Sequence, residues 1–533
     1  MKSRFFFKSA FSWILLAFLG LFAFSCHTPS SSKLQTLRIN LKDEPQTLDP
    51  RKARDLNTMT LMKMLFEGLT RINKEGEVEL AIAEKIEYSP SMTEVTFFLK
   101  EARWINGDPV TAEDFSRTWR QCLDPLFPCD LAFQLYAIKN AKQVKEGALP
   151  MEALGIEVLD SRSFRVQLEA PTPYFLKLLA APPFFPVHPK AFLDQKEGVI
   201  VNNGPFYLDT WKPQDHLRVL KNPQYWDAAQ VRLDEVYLTM VSEETEFMLF
   251  EKNQLDWAGS PLSVLPLEVL HVLKQQHQLQ IKEMLGTYFL RANTQAGPLQ
   301  HPKIRQALAL AVNRQALIEH VTQGNQIPAT GLVPISLGLQ KEAYFKDGDT
   351  ALALQLFNEA LEELELSRDN FPSTSLMYYS RERNRMIAQA LQQQWFEVFG
   401  VRINLEAIEG RVYFDRVAKT DYQLAAGSWV ADFEDPMNFL DVFKYPQGSA
   451  NNTLWHHPEY TALLDQARLE ADETKRSQLM ASAEKILVDA MPIIPIFYYT
   501  MLYVNRPEVK DVVLSKTGQL DFKWAYIEKE AKR

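Results

Sequence analysis

From about residue 375 to residue 430 the chain alternates between two hydrophobic periods, and no other feature constrains its fold as tightly. SLMYYS reads as a strand, RERNRMIAQALQQQWFEVF as a helix stopped by Gly400, and RINLEAI as a second strand. RVYFDRVAKT then reads as a helix and YQLAAGSW as a third strand. Strand, helix, strand, helix, strand is the signature of a wound α/β sheet with helices on its faces. Such sheets take ligands in the crevice beyond the carboxyl ends of their strands. Two segments are therefore marked as candidates: the one after Ser380 and the one after Trp429.

The rest of the chain surrounds this unit. At 533 residues it is too long for one ordinary core, which predicts two or three domains. Leu34 to about Ile200 is strand-rich, with a helix expected over Thr58 to Leu69 and another opened by Thr111 and Asp114 in a near capping box. A turn at Asn202-Asn203-Gly204-Pro205 introduces the strands FYLDTW, LRVLKN and EVYLTMV. His301-Pro302 starts a helix expected to run on through IRQALALAVNRQALIEHV, and another is expected over Thr350 to Leu366. No internal repeat is visible.

The N-terminus carries an export signal. Lys2, Arg4 and Lys8 precede an apolar run from Phe11 to Phe24, short for a membrane span but right for a signal-peptide core. Cleavage after Ser25 would leave Cys26 first, followed by a polar HTPSSSK linker. Cys26 is thus expected to carry a lipid, with a plain secretory cut at the same bond as the alternative, since Ala23 stands where such sites usually carry Leu. Losing residues 1–25 takes the net charge from −9 to near −12. That argues against a nucleic-acid partner, which needs a concentrated basic face.

Cys122 and Cys129 remain, flanking Pro125 and Pro128. They either close a small disulfide loop or stay reduced and buried. Phosphate-loop, HExxH, GxSxG and CxxC patterns are all missing, so no enzyme, metal or cofactor is expected. His456-His457 precedes a proline and reads as loop.

Two charged clusters fall in the marked segments. Ala431-Asp432-Phe433-Glu434-Asp435 follows the last strand, flanked by Trp429, Phe433 and Phe439. An acid among aromatics at a strand end needs a cation, and a ligand ammonium would serve; a solvated acidic loop is the alternative. Arg381, Arg383 and Arg385 sit at a helix start, opposing its dipole at about 0.3–1 kcal/mol each. Either an anion such as a peptide carboxylate needs them, or Glu382 and solvent absorb the cost. Tyr498 and Tyr499 in PIFYY could serve core or site.

Several ordered stretches then carry a resemblance. They include Pro45-Gln-Thr-Leu-Asp-Pro50, Leu65-Phe-Glu-Gly-Leu69, Trp104 through Phe115, Pro173-Tyr-Phe175 and Asn203-Gly-Pro-Phe206. Asn222-Pro-Gln-Tyr-Trp226, Ile304-Arg-Gln-Ala-Leu308 and Pro495 through Tyr499 continue the series. Together they resemble the family 5 extracellular solute-binding proteins, and within them the oligopeptide-binding branch. The resemblance implies a bilobal periplasmic-binding-protein fold (type II, cluster C) with an additional third domain, closing over a peptide held as an added strand. The domains implied are 1–25 signal, 26–33 linker, 34–67 with 196–286 and 499–533 as domain I, 68–195 as domain II, and 287–498 as domain III. It also implies a monomeric receptor handing short peptides to the permease of an ABC importer, in the periplasm or on the outer face of the cytoplasmic membrane. A cell-wall peptide, a nickel complex, haem, an oligosaccharide, or a role as tethered chaperone or adhesin are the alternatives.

By the same resemblance Asp432 takes the peptide α-ammonium, with Trp429, Val430, Ala431, Phe433, Tyr136 and Tyr499 around the ligand. The branch commonly places a histidine and an arginine near the ligand's carboxyl end. The matching positions here are Asn384 and Ala426, so that end is expected to be weakly fixed unless the arginine trio replaces them. A lobe disulfide found in some relatives has no counterpart, since Gly286 and Val430 occupy its places.

Overall fold

The computed structural model describes residues 34–192, 200–339, 341–446 and 450–528. The signal run, Cys26 and the linker at 26–33 lie outside the described residues.

Three sheets organise the chain. The first runs in the order Thr36–Asn40, Glu235–Thr239, His216–Lys221, Phe206–Lys212, parallel at its first pairing and antiparallel at the others. The second is antiparallel throughout: Ala83–Tyr88, Glu94–Leu99, Ser163–Gln167, Ile156–Asp160. Alternating burial along Glu94–Leu99 turns Val95, Phe97 and Leu99 inward, where Phe97 stacks on Phe164 and Trp119 meets Phe164 edge-on. Apolar residues of both sheets join in one continuous core.

The third sheet is seven-stranded. Its order is Trp257–Gly259, Ile493–Asn505, Gln280–Ala292, Leu424–Val430, Thr374–Tyr379, Ile403–Ile408, with Ile327–Pro328 added on Ile493–Asn505. Thr374–Tyr379 is parallel to both Ile403–Ile408 and Leu424–Val430, so the wound unit expected from periodicity is present. Its helices are Glu382–Phe399, ended by Gly400 at φ 71°, and Gly410–Ala418. Gln280–Ala292 and Ile493–Asn505 pair along most of their length, and a register shift between Glu283 and Thr287 interrupts the ladder at its middle.

Local signals account for most element ends. Thr111 and Asp114 form the capping box of helix Ala112–Cys122. The helix expected over Thr58 to Leu69 instead spans Leu56–Leu65. It stops there because the Asn202–Pro205 turn packs on its end: Gly204 N donates to Leu65 O at 2.9 Å, and a Cβ on Gly204 would sit 2.5–2.7 Å from the Leu65–Phe66 backbone. The single helix expected beyond Pro302 is also broken. It ends at Leu310, and Asn313 caps a new turn at Ala316 N (2.9 Å). Arg314 forces the break, because its fully buried guanidinium is spent on the carbonyls of Pro495, Val312 and Ala309 and on Asp347.

Of the two readings for Cys122 and Cys129, the structure holds the reduced one, not the possible disulfide. Both are buried free thiols, in hydrogen-bonding contact with each other. Gly286 and Val430 do lie opposite each other in register, but neither carries sulfur.

Candidate functional site

The wound sheet creates its own opening. Leu424–Val430 is paired along one whole side with residues 286–292, but on the other side Thr374–Tyr379 meets it only at Leu424 and Ala425. From Ala426 to Val430 that edge has no strand partner among the described residues. A cavity of about 480 Å³ follows it, lined by Ala426, Gly427, Ser428 and Trp429 from the strand and by Asn384 and Tyr499 from its neighbours.

Asp432 stands just past the strand's carboxyl end. Its backbone is set by Asn438, whose side-chain oxygen accepts from Asp432 N (3.2 Å) and from Trp429 Nε1 (2.9 Å). Asn438 Nδ2 reaches Asp432 Oδ2 at 3.4 Å, and Gln134 hydrogen-bonds the carboxylate from across the cleft. Burial pushes this carboxyl above the ordinary carboxylate range, with Asn438 and Gln134 opposing the rise. No described lysine or arginine pairs with it. Lys63 and Lys177 line the small cavity beside it, but the Lys177 ammonium is spent on Glu434 O at 3.1 Å.

The acidic loop is not uniformly solvated. Asp435, three residues on, is buried in a bidentate pair with Arg476 at 2.8 and 2.9 Å. Phe433 stacks on Tyr174 with ring centroids 4.4 Å apart, and with the Lys177–Glu434 contact this binds the loop to residues 134–177. Ala431 is buried, its N–H donating to Leu285 O, and Val430 ends the open edge.

The remaining predicted residues divide. Asn384 lines the large cavity, its amide held by Tyr379 O at 2.9 Å, and Tyr499 lines it too, with burial pushing its hydroxyl to about 12. Arg381 lies exposed over the Tyr379 ring, and exposed Arg385 is paired with Glu382. Neither lines the cavity, so two of the three arginines follow the plain reading. Arg383 is half-buried without a hydrogen bond or ion pair to any described residue, and the charge acting on it most strongly is Glu243. Tyr136 packs against the core of the first two sheets and lines neither cavity.

One lining residue escaped sequence reasoning. Arg291 projects into the large cavity from Gln280–Ala292, inside a run of buried residues. The available signal was a lone arginine within the apolar stretch TYFLRA.

The motif stretches fall mostly on structure. Glu67 of LFEG is buried against Arg71, Trp226 Nε1 (2.7 Å) and the Asn203 side chain (3.1 Å). Arg71 continues to Asp521.

Among known proteins, the model for "Bacterial extracellular solute-binding proteins, family 5 Middle" matches residues 77–451. The chain belongs to that family. It is 38% identical to the oligopeptide-binding protein OppA of Bacillus subtilis over 503 residues, 92% of each chain. Among solved structures, the Escherichia coli murein tripeptide binding protein MppA superposes with a TM-score of 0.81 at 28% identity, covering 94% of this chain and 99% of that one. Haemophilus influenzae OppA in complex with RPPGFSPFR gives 0.80 at 26%, covering 93% and 99%. No helix among the described residues is long and apolar enough to cross a membrane.

Proposed function

We propose that this chain is the peptide-capturing receptor of an ABC importer, holding a short peptide as an added strand on the open edge of residues 426–430. The observation that carries the reading is Asp432, a desolvated carboxylate with no cation of its own at the end of that edge. A peptide whose α-ammonium sits there runs antiparallel to the strand, back toward Ala426. Main-chain bonds to the edge give affinity for any sequence, and a roomy cavity tolerates its side chains. The kinship with peptide-binding OppA proteins supports this ligand class, and the likeness to MppA extends it to cell-wall peptides, which offer the same amine. No chemical step on the ligand is included.

Closure of the lobes is part of the reading. The two long strands shared by the lobes, interrupted between Glu283 and Thr287, supply a bending point, and the Tyr174–Phe433 stack supplies a latch. The three sheets support division into 34–67 with 196–286 and 499–533, then 68–195, then 287–498. Export with Cys26 as a lipid anchor would keep this monomeric receptor beside its permease.

Calorimetry on a cycle tests the reading. Wild type and Asp432→Asn are each titrated with a tetrapeptide in free-amine and N-acetylated form. Each single change should weaken binding by about 2–5 kcal/mol, and the two should not add, because both remove one contact. Full additivity, or normal binding by the Asn variant, would make Asp432 an ordinary loop acid.

A further inference from the structure

An uncompensated charge of opposite sign to Asp432 lies in the large cavity. Arg291 is 9% exposed, and its Nε has no hydrogen-bond partner. None of its guanidinium nitrogens makes a hydrogen bond or ion pair with any described residue. Its one close contact of note is the face of Phe289, 5.0 Å away. Every other buried arginine among the described residues is spent: Arg51 on Asp49, Arg71 on Glu67 and Asp521, Arg305 and Arg314 on backbone carbonyls, Arg476 on Asp435. None of the residues lining the cavity is acidic, and the hydroxyls of Tyr413 and Tyr422, which face Arg291, are turned to Ala426 O and Asn452 O. Desolvation therefore weighs on the cation without an internal anion to offset it.

The strand beside it makes room for this side chain. A Cβ on Gly427 would lie 1.7 Å from Arg291 Nη1, so only glycine lets the guanidinium lie across Leu424–Val430 at that level. The guanidinium thus lies over the strand's face at Gly427, inside the cavity, three residues back from Val430.

We propose that Arg291 binds a carboxylate of the ligand, taking over the anion-binding role for which Asn384 and Ala426 are unsuited. This rests on the peptide reading above and deepens it. A guanidinium offers a carboxylate two parallel N–H bonds, the geometry in which the pair is strongest. The position also sets a length. Along the edge from its end at Val430 back to Gly427 or to Arg291's own register partner, Ala425, is roughly 10–17 Å of extended chain, which about three to five residues span. A peptide of that length brings its own carboxyl terminus to Arg291, and a longer one brings an acidic side chain from its third to fifth residue.

The test titrates purified wild type, Arg291→Gln and Arg383→Gln with a tetrapeptide as free acid and as C-terminal amide. A second arm uses an amidated heptapeptide with Glu or Gln at position four. In wild type, removing the carboxylate should weaken binding at least about 30-fold in one arm or both, as loss of one partner of a buried charge pair does. The first arm identifies the terminal carboxylate, the second the side chain. That sensitivity should vanish in Arg291→Gln and persist in Arg383→Gln. Equal affinities for acid and amide forms in both arms of wild type overturn the proposal, even if Arg291→Gln does not fold, and so does sensitivity that disappears in Arg383→Gln instead. Should no free peptide bind wild type at all, the peptide reading itself has failed, which is a separate result.

Discussion

The two ends of the open strand edge make an instructive pair. At one end Asp432 is a carboxylate without a cation, and further back Arg291 is a guanidinium without an anion. Folding places both charges out of water and lets neither reach the other. Asp435, by contrast, has Arg476, and Arg314 has four acceptors around it. An isolated buried charge destabilises the free protein, so two of opposite sign along one edge describe the complement of a zwitterion. The difference between the ends lies in how each is held. Asp432 is on a loop that reaches across the cleft through Phe433 and Tyr174, whereas Arg291 lies on a central strand of one lobe. On the reading proposed above, the ammonium site is completed by closure and the carboxylate site is preformed.

The largest expected effect comes from removing the loop charge. Asp432→Asn should reduce peptide affinity by about 2–5 kcal/mol in calorimetry while leaving the acid-over-amide preference at the other end intact. If that preference collapsed too, the ends would not be independent sites. Gly427→Ala attacks the other end without touching a charge. Its methyl meets Arg291 Nη1, so the guanidinium must move, at about 1–3 kcal/mol of affinity for free-acid peptides and little for amides. Equal loss for both forms would mean that the edge, not the cation, was disturbed.

A smaller effect is expected from pH. Because burial raises the Asp432 carboxyl, the free fold favours its protonated form, and this group's contribution to unliganded stability falls as pH rises from the ordinary carboxylate range through the raised value. Ammonium binding needs the ionised form. Affinity should therefore weaken as pH drops through that raised value, by at most about 1.4 kcal/mol per unit, with a proton released on binding below it. Titrations in two buffers of different ionisation enthalpy would reveal the release, and Asp432→Asn should abolish it.

How much of this the sequence disclosed follows from the range of the forces involved. Strands and helices of the wound unit are written in local periodicity, and Gly400 and Thr111 mark their own element ends. Asp432 was marked as a candidate for the same reason: a strand end, flanking aromatics and a family motif all lie within a few residues. The break at Asn313 was not, because the carbonyl of Pro495 that holds Arg314 comes from 181 residues away. Arg291 was hidden likewise. Its meaning depends on Gly427 in the adjacent strand and on the absence of any acid around a cavity assembled from six separate segments. The trio at 381, 383 and 385 drew attention by its density, yet two of its members are surface arginines. A charge run is local, whereas an unpaired charge is defined only by the whole fold.

A single ligand bridging Asp432 and Arg291 must match the distance between them, and a length series measures that match. Alanine peptides of two to seven residues, with both termini free, should bind with a maximum at about three to five residues. Amidation should flatten that maximum, since the far charge no longer has to be placed. An affinity that is constant or climbs steadily with length, with or without the terminal carboxylate, would contradict the bridge.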